Sequence, residues 1–406
     1  MKRLLAIAGF RKLWASHVIS SFGDALTNLA LLITAQRLTG STAAVATTAV
    51  AVALPQLLFG LFAGVLVDRW DRKRVMIASD LARSFLVLGF LAVGSADRMW
   101  LLYAVAFVQA SIGTLDNPAR SSVVPQIVGP ENLLAANSFF QSTMILVGVA
   151  GTATAGVIAG VFDTLAPAFI VDAASFAVSA ALVSRIAIER LPEQETAGSE
   201  ASGMWIELRA GIRFIVSSPM LRTVVITAGV VMLGLGAVNV LLVPFIVDEL
   251  AVPETWFGVL EAAQVTSMVL AGGLVAVAAK KIRPGRLLVV GLSGVAVVVA
   301  AMSLAQSVWH LIGLLFAVGW FVTPTQAAIS TIVQTEVPLE ALGRVSSSLG
   351  TVSTTAQVAS MALSGVAAAA FGLRSVFVVA GLIVLMAAGL SLLVQRSSWL
   401  EPVGTT

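Results

Sequence analysis

No cysteine occurs among the 406 residues, which excludes disulfides, thiolate nucleophiles and cysteine-ligated metals together. Histidine is nearly as scarce: His17 and His310 each lie in or beside an apolar run with no second ligand close in sequence, so no metal-binding spacing is present. Charge is sparse as well, with 11% of residues charged against 58% hydrophobic, and a net charge of only +3. A water-soluble domain could not cover that much apolar surface with so few charges, so the main solvent is lipid. The basic residues gather at the ends of apolar runs, which argues against a nucleic-acid partner. There is no G-x-x-x-x-G-K-[ST] sequence for ATP and no nucleophile-and-base constellation, so an enzyme is not expected.

What the chain does have is twelve apolar segments of roughly 20 to 26 residues, each long enough to cross a hydrocarbon core as an α-helix. The expected spans are 13–38, 45–67, 75–95, 99–118, 137–161, 166–186, 222–247, 256–279, 287–305, 309–330, 348–370 and 374–395. The run behind Lys2, Arg3, Arg11 and Lys12 is too long for a secretory leader and carries Asp24 and Asn28, so it reads as a retained first helix. With a cytoplasmic N-terminus, twenty of the 24 lysines and arginines fall on that side, Arg37, Arg98 and Arg374 on the other, and Arg83 inside a span. The positive-inside rule then places both termini of this multi-pass chain in the cytoplasm.

One long connection divides the helices six and six. It gives a first bundle over 1–188, a cytoplasmic linker over 189–221 and a second bundle over 222–406. Within the linker, Trp205, Leu208, Ile212 and Ile215 recur at helical spacing beside Arg209 and Arg213, the pattern of an interfacial helix, with a passive linker as the alternative. The halves also repeat: a displacement of 208 lays Gly64 on Gly272, Arg72 on Lys280, Lys73 on Lys281 and Pro130 on Pro338. The expected fold is all-α, with twelve transmembrane helices in two pseudo-symmetric six-helix bundles that rock about a site near the midplane.

The connection between the second and third segments reads Gly64-Val-Leu-Val-Asp68-Arg69-Trp-Asp-Arg72-Lys73-Arg74. Glycine lets two helices approach, Asp68 can accept hydrogen bonds at a helix N-terminus, and Arg69, Arg72 and Lys73 can pair with acids across the bundle. Cations acting only as topology determinants would leave Gly64 and Asp68 unexplained. The stretch resembles the G-x-x-x-D-R-x-G-R-K/R signature of the major facilitator superfamily, with Asp71 in place of the second glycine. Phe10-Arg-Lys-Leu-Trp14, Ser21-Phe-Gly-Asp24, Leu38-Thr-Gly-Ser41, Asn117-Pro-Ala-Arg120, Glu131-Asn-Leu-Leu-Ala-Ala-Asn-Ser138 and Val171-Asp-Ala-Ala-Ser-Phe176 are similar to the bacterial branch that contains macrolide exporters, the enterobactin exporter and antibiotic self-resistance pumps. The resemblance covers essentially the whole chain. It implies the major facilitator fold, a bacterial cytoplasmic membrane, a monomer, no cofactor beyond the proton gradient, and a latch that closes the cytoplasmic side. The second copy of the motif has Ala276 where the acid would stand, so its latch is expected to be weaker. The Gly-Pro-rich motif of the fifth helix in antiporters is only partial, since Thr152 follows Gly151.

Asp24 is the expected coupling residue. Ser20, Asp24 and Asn28 recur every four residues with His17 and Ser21 alongside, which makes one polar face on an otherwise apolar helix. A carboxylate at that depth costs roughly 2.5 to 3.5 kcal/mol on insertion scales, so retention implies a use. Alternation between a dry site and a wet or cation-bearing one would exchange a proton for substrate. The alternative is an acid that fixes the first helix against the fifth or eighth. Resemblance to drug/proton antiporters, several of which use a first-helix acid, favours coupling. Glu261 in the eighth span is a second candidate for a cation or proton, with a solvated rim position as its alternative. Asn28, Gln109, Gln141, Asn239, Gln264, Gln326 and Gln357 are the polar candidates to line a substrate cavity. Asp80 and Arg83 are spaced for an intrahelical pair, Asp116 for a cap or turn, and Asp172 for packing beside Ser175.

The leading expectation is a secondary transporter that exports a hydrophobic drug-like compound or siderophore against protons. A lipid or lysolipid flippase and a nutrient importer are alternatives on the same fold. A non-transporting membrane receptor or scaffold is the alternative from another class, and it has no need of a midmembrane acid.

Overall fold

The computed structural model of the chain describes residues 2–129, 132–187, 213, 215–216, 218–278, 282–337 and 339–398. Among these residues the regular structure is helical and there is no strand. The α-helices are α1 (Lys2–Ala6), α2 (Ala8–Thr39), α3 (Thr42–Asp68), α4 (Arg72–Val87), α5 (Met99–Gly113), α6 (Asp116–Val128), α7 (Leu133–Val161), α8 (Ala166–Ser184), α9 (Pro219–Pro244), α10 (Phe257–Ala278), α11 (Pro284–Met302), α12 (Val308–Glu336), α13 (Leu339–Phe371) and α14 (Leu373–Ser398).

Among the described residues twelve stretches are long and apolar enough to span a bilayer, in agreement with the hydropathy pattern. Four are composite, the eighth because a 3-10 turn at Glu254–Trp256 leads into α10. The third continues from α4 through a 3-10 turn at Leu88–Ala92, and the seventh runs from α9 into a π-helical turn at Phe245–Glu249, directly after Pro244. The fourth, expected over 99–118, extends to Val128 as α5 and α6 with a break at Thr114 and Leu115. The apolar pattern stops at Asp116 and Arg120, but the helix does not, because these two side chains stand one turn apart and neutralise each other.

Local chemistry sets the helix ends. Gly40, at φ +57°, ends α2 with its N–H on the Gln36 carbonyl, a left-handed cap that a side chain would strain. Asp71 begins α4 by accepting the Arg74 N–H at 3.0 Å. An N-cap is what an acid does well there, and it accounts for Asp71 at the position the signature gives to glycine.

The chain forms two compact units. The first comprises Met1–Ala197 and Val252–Glu261, the second Gly198–Ala251 and Ala262–Thr406. In the first, α2 packs along α7 and α8, α4 on α8, and α3 on α5. Phe10 meets Phe140 edge-on at 5.4 Å, while Trp14 stacks on Phe139 at 5.4 Å and donates its Nε1–H to Thr143 Oγ1 at 3.3 Å. The Phe10 to Trp14 stretch therefore rivets α2 to α7, each ring pair adding about 0.5–1.5 kcal/mol beyond its burial. Glycine brings the helices close: a Cβ on Gly151 would lie 2.8 Å from the Phe22 carbonyl oxygen, and one on Gly156 would lie 2.8 Å from that of Glu254. The second contact is why residues 252–261 group with the first unit although they follow the linker in sequence.

In the second unit, α9 packs along α13 and α14, and α11 along α12 and α14. Its core gathers Leu221, Val224, Leu292, Val299, Ile332 and Val384. Ile215 joins that core at 6% exposure, so this linker position faces protein and not the membrane plane. Trp205, Leu208 and Ile212 lie outside the described residues, as do Pro130, Lys280, Lys281 and Pro338 of the internal repeat. The duplication is visible instead in the packing plan. Within each unit the first span lies along the fifth and sixth, and the third along the sixth.

Candidate functional site

The polar face of α2 opens onto a cavity of about 430 Å³ inside the first unit. Helical spacing sets His17, Ser21, Asp24 and Asn28 on that face. Arg83 of α4, Gln109 of α5, and Asp116 and Asn117 at the start of α6 stand around the same cavity, with Ala106, Ala110, Met144 and Gly148 as its apolar wall. Polar and apolar surface are both present, as a site for an amphipathic molecule requires.

Arg83 pairs with Asp24 through Nη2 and Oδ1. The guanidinium lies 4.1 Å over the Phe176 ring, and its side chain is 9% exposed, against 34% for that of Asp24. The arginine is thus held by α8 and buried, while the acid reaches the cavity. Asp116 and Arg120 form a second pair, in which Arg120 Nη2 lies 2.9 Å from both Asp116 oxygens and Nη1 donates to the Leu13 carbonyl at 3.4 Å. The break between α5 and α6 places Asp116 in the first turn of α6, where the helix dipole favours an acid, at the cavity wall. His17 Nδ1 stands 3.3 Å from Ser21 Oγ, and its ring meets Phe140 at 5.7 Å.

Two more acids lie behind the cavity. Asp80 Oδ2 accepts the Ser179 hydroxyl at 2.6 Å, and the Ser175 hydroxyl is shared between the Asp172 carbonyl at 2.8 Å and Asp172 Oδ1 at 3.3 Å. The intrahelical Asp80–Arg83 pair expected from spacing does not form. Arg83 reaches across to Asp24 of α2, and Asp80 turns to Ser179 of α8.

Of the polar residues singled out by sequence, Asp24, Asn28 and Gln109 come together at this cavity. Gln141 is exposed on α7 and is not part of it. Glu261 and Gln264 are half-buried on α10, and Gln357 is half-buried on α13. Asn239 on α9 and Gln326 on α12 are exposed. At the motif, Gly64 has open space where a Cβ would project, and Arg69 is exposed at the end of α3. Asp68 is the last residue of α3, and its side chain lies outside the described residues. Arg72 begins α4. Lys73 does not meet an acid as expected: its Nζ donates to the Ile186 carbonyl at 2.6 Å, and Lys12 Nζ donates to the Arg185 carbonyl at 2.8 Å. Two ammonium groups therefore cap the C-terminus of α8, where the helix dipole is negative.

Arg83, Asp116 and Arg120 are the site residues whose part sequence reasoning missed. The signal for the first was present in the charge count, since a lone arginine inside a span must find an acid, and Asp24 stood in a span of its own. At the opposite end of α2, Arg37 donates to Glu254 Oε1 at 2.9 Å and to the carbonyls of Ala159, Phe162 and Asp163, which ties α2, α7 and the turn before α10 together.

Comparison with known proteins agrees with this architecture. The profile of the family described as transmembrane secretion effector matches residues 4–401. The uncharacterized MFS-type transporter YfiS of Bacillus subtilis (strain 168) is 26% identical, over 93% of this chain and 91% of its own length. Macrolide efflux protein A of Streptococcus pyogenes is 24% identical over 93% of each chain, and the enterobactin exporter EntS of Salmonella choleraesuis is 25% identical over 83% of this chain and 80% of its own. A crystal structure of a bacterial homolog of the human lysosomal transporter Spinster superposes with a TM-score of 0.76 at 15% identity, covering 96% of this chain and 97% of that one. Twelve spans, two units packed on one plan and a profile match along nearly the whole length lead to one assignment: the chain belongs to the transmembrane secretion effector family of major facilitator transporters.

Proposed function

We propose that the protein is a proton-coupled exporter of a hydrophobic drug-like compound or siderophore, working by alternating access in a bacterial inner membrane as a monomer with both termini in the cytoplasm. The observation that carries this reading is the Asp24–Arg83 pair at the wall of a cavity of mixed polarity. A buried ion pair is poor glue, because desolvation offsets most of its Coulomb gain. Its retention beside a cavity is better explained by exchange, in which Arg83 releases Asp24 to a cationic group of the substrate as the unit gives up a proton, and takes it back when the proton returns. Asn28 and Gln109 orient the substrate, with Gln264, Gln326, Gln357, Asn239, Gln141 and Glu261 as further candidates for contact during the cycle. The two similarly packed units supply the rigid bodies that alternating access needs. The Gly64 to Arg74 connection acts as a latch through the grip of Lys73 on the end of α8. The names of the macrolide and enterobactin relatives support export as the direction.

A second reading, lipid or lysolipid movement, is favoured by one feature. An open apolar groove of about 670 Å³ on the first unit, lined by Val18 and Phe22 of α2, Leu146 and Ala150 of α7, and Val171 and Val178 of α8, has the apolar character to take an acyl chain. Expression in a drug-hypersensitive bacterium separates the two. Active efflux of a macrolide, phenicol, tetracycline or catecholate siderophore that stops on addition of a protonophore is the expected result. Efflux that ignores the protonophore, or movement of a fluorescent lysolipid alone, would overturn the coupled-exporter reading.

A further inference from the structure

We propose that the exchanged proton resides on Asp172, and that Arg83 is a counter-ion shared between Asp172 and Asp24. The inference rests on the proton-coupled reading and gives the proton its seat. Around Arg83 the first unit holds four carboxyl groups, Asp24, Asp80, Asp116 and Asp172, against the two guanidinium groups of Arg83 and Arg120. Asp24 and Asp116 have a cation each. Asp80 and Asp172 are 1% and 0% exposed, and each keeps one oxygen, Oδ1 and Oδ2 respectively, without a hydrogen-bond partner. A bare carboxylate there would carry an effective penalty of several kcal/mol. A neutral carboxylic acid avoids that cost.

Position distinguishes the two acids. Gly23, the residue before Asp24, lies so close to Asp172 Oδ1 and Ser175 Oγ that a Cβ has no room, so Asp172 abuts the α2 backbone next to the coupling acid. Thr27, one turn further along α2, neighbours Asp172 and lines the cavity. Phe176, one turn after Asp172 on α8, carries the Arg83 guanidinium on its ring. Arg83 Nε is buried without a partner and is the donor available to a second carboxylate. Neither acid lines the cavity itself, but Asp80 is engaged by Ser179 of α8 at 2.6 Å, whereas Asp172 is one side chain, Thr27, away from it. The charged groups facing Asp172 are Asp24 from α2 and Asp80 and Arg83 from α4, with His17, Asp116 and Arg120 further along the cavity; α7 and the 3-10 turn at Leu88–Ala92 carry no titratable side chain.

The arrangement makes proton and cation exclude each other. With a proton on Asp172, Arg83 pairs with Asp24, and the cavity offers no free carboxylate. When the O–H bond of Asp172 breaks and the proton leaves to cavity water, the new carboxylate draws Arg83 away, and Asp24 is free for a cationic group. Rebinding of the proton returns Arg83 to Asp24 and expels the cation, which is exchange and not co-transport.

The test is an infrared pH titration of the full-length protein in phosphatidylethanolamine and phosphatidylglycerol vesicles, following the C=O band of protonated carboxylic acids with no substrate added. The expected result is one titrating band that is lost in Asp172→Asn and shifted in Ser175→Ala, which keeps the acid but removes its hydroxyl partner, and that is unmoved in Ser179→Ala. Should Asp172→Asn fail to fold, the two serine variants decide. No titrating band, a band that survives Asp172→Asn, or one that shifts with Ser179→Ala and not with Ser175→Ala overturns the assignment. The readout needs no transport, so an Asp172 band in a protein that moves no protons with any compound would sink the coupled-exporter reading alone. Coupled flux without that band would sink only the assignment to Asp172.

Discussion

The two units share a packing plan but not a chemistry. In the first, four charged side chains, Asp80, Arg83, Arg120 and Asp172, are buried inside the membrane-spanning helices, and Asp24 and Asp116 complete two ion pairs. In the second, among the described residues, the buried polar side chains are all serine or threonine, typified by the Thr227–Ser391 hydroxyl pair at 3.0 Å. The same helix crossings are thus achieved without buried charge. Apolar pattern and small residues suffice to build the bundle, and the charges of the first unit are there for something other than folding.

That contrast orders the expected effects of substitution. Arg83→Leu strands Asp24 among three other acids, and loss of one partner from a buried pair costs about 3–5 kcal/mol; a large drop in the thermal midpoint of the detergent-solubilised protein is expected, and a midpoint near wild type would remove the special status of the first unit. Gly151→Leu and Gly236→Leu overpack equivalent crossings, of the first span of each unit with its fifth, with Cβ positions 2.7 Å from Ala25 Cβ and 2.8 Å from Ser360 Cβ. Both should destabilise by about 1–3 kcal/mol, and fluorescence size-exclusion after heating should show losses of similar size. Unequal losses would mean that the two units are not packed alike. Thr227→Val removes one neutral hydrogen bond, worth about 1 kcal/mol, and should leave the infrared carboxylic acid bands untouched. Glu249→Gln neutralises a partly exposed pair with Arg374 at 3.1 Å and leaves the arginine on the Ser303 and Ala305 carbonyls; it should move the midpoint least, by less than about 1 kcal/mol.

Much of the fold was legible because the membrane restricts the choices. Backbone polar groups in lipid must pair within the helix, so length and hydropathy alone locate the spans. Legibility failed where side chains compensate one another in space. Asp116 and Arg120 look like the end of a span until their mutual neutralisation is seen, and Arg83 looks like a partner of Asp80 until α2 and α4 are both placed on α8, within reach of its side chain. Asp24 stood out because its helix face repeats in sequence. Asp172 did not, since what distinguishes it is Gly23 on another helix. The role of Lys73 also depended on tertiary structure, because the carbonyls it caps lie over a hundred residues away.

The most direct test of Asp24 as the coupling acid is substrate-driven proton flux. The protein would be reconstituted in liposomes with a pH-sensitive dye inside, and wild type compared with Asp24→Asn and Glu261→Gln for whichever compound the efflux assay identifies. The account predicts flux in wild type and in Glu261→Gln, and none in Asp24→Asn from folded protein. Flux that survives Asp24→Asn but disappears in Glu261→Gln would contradict it.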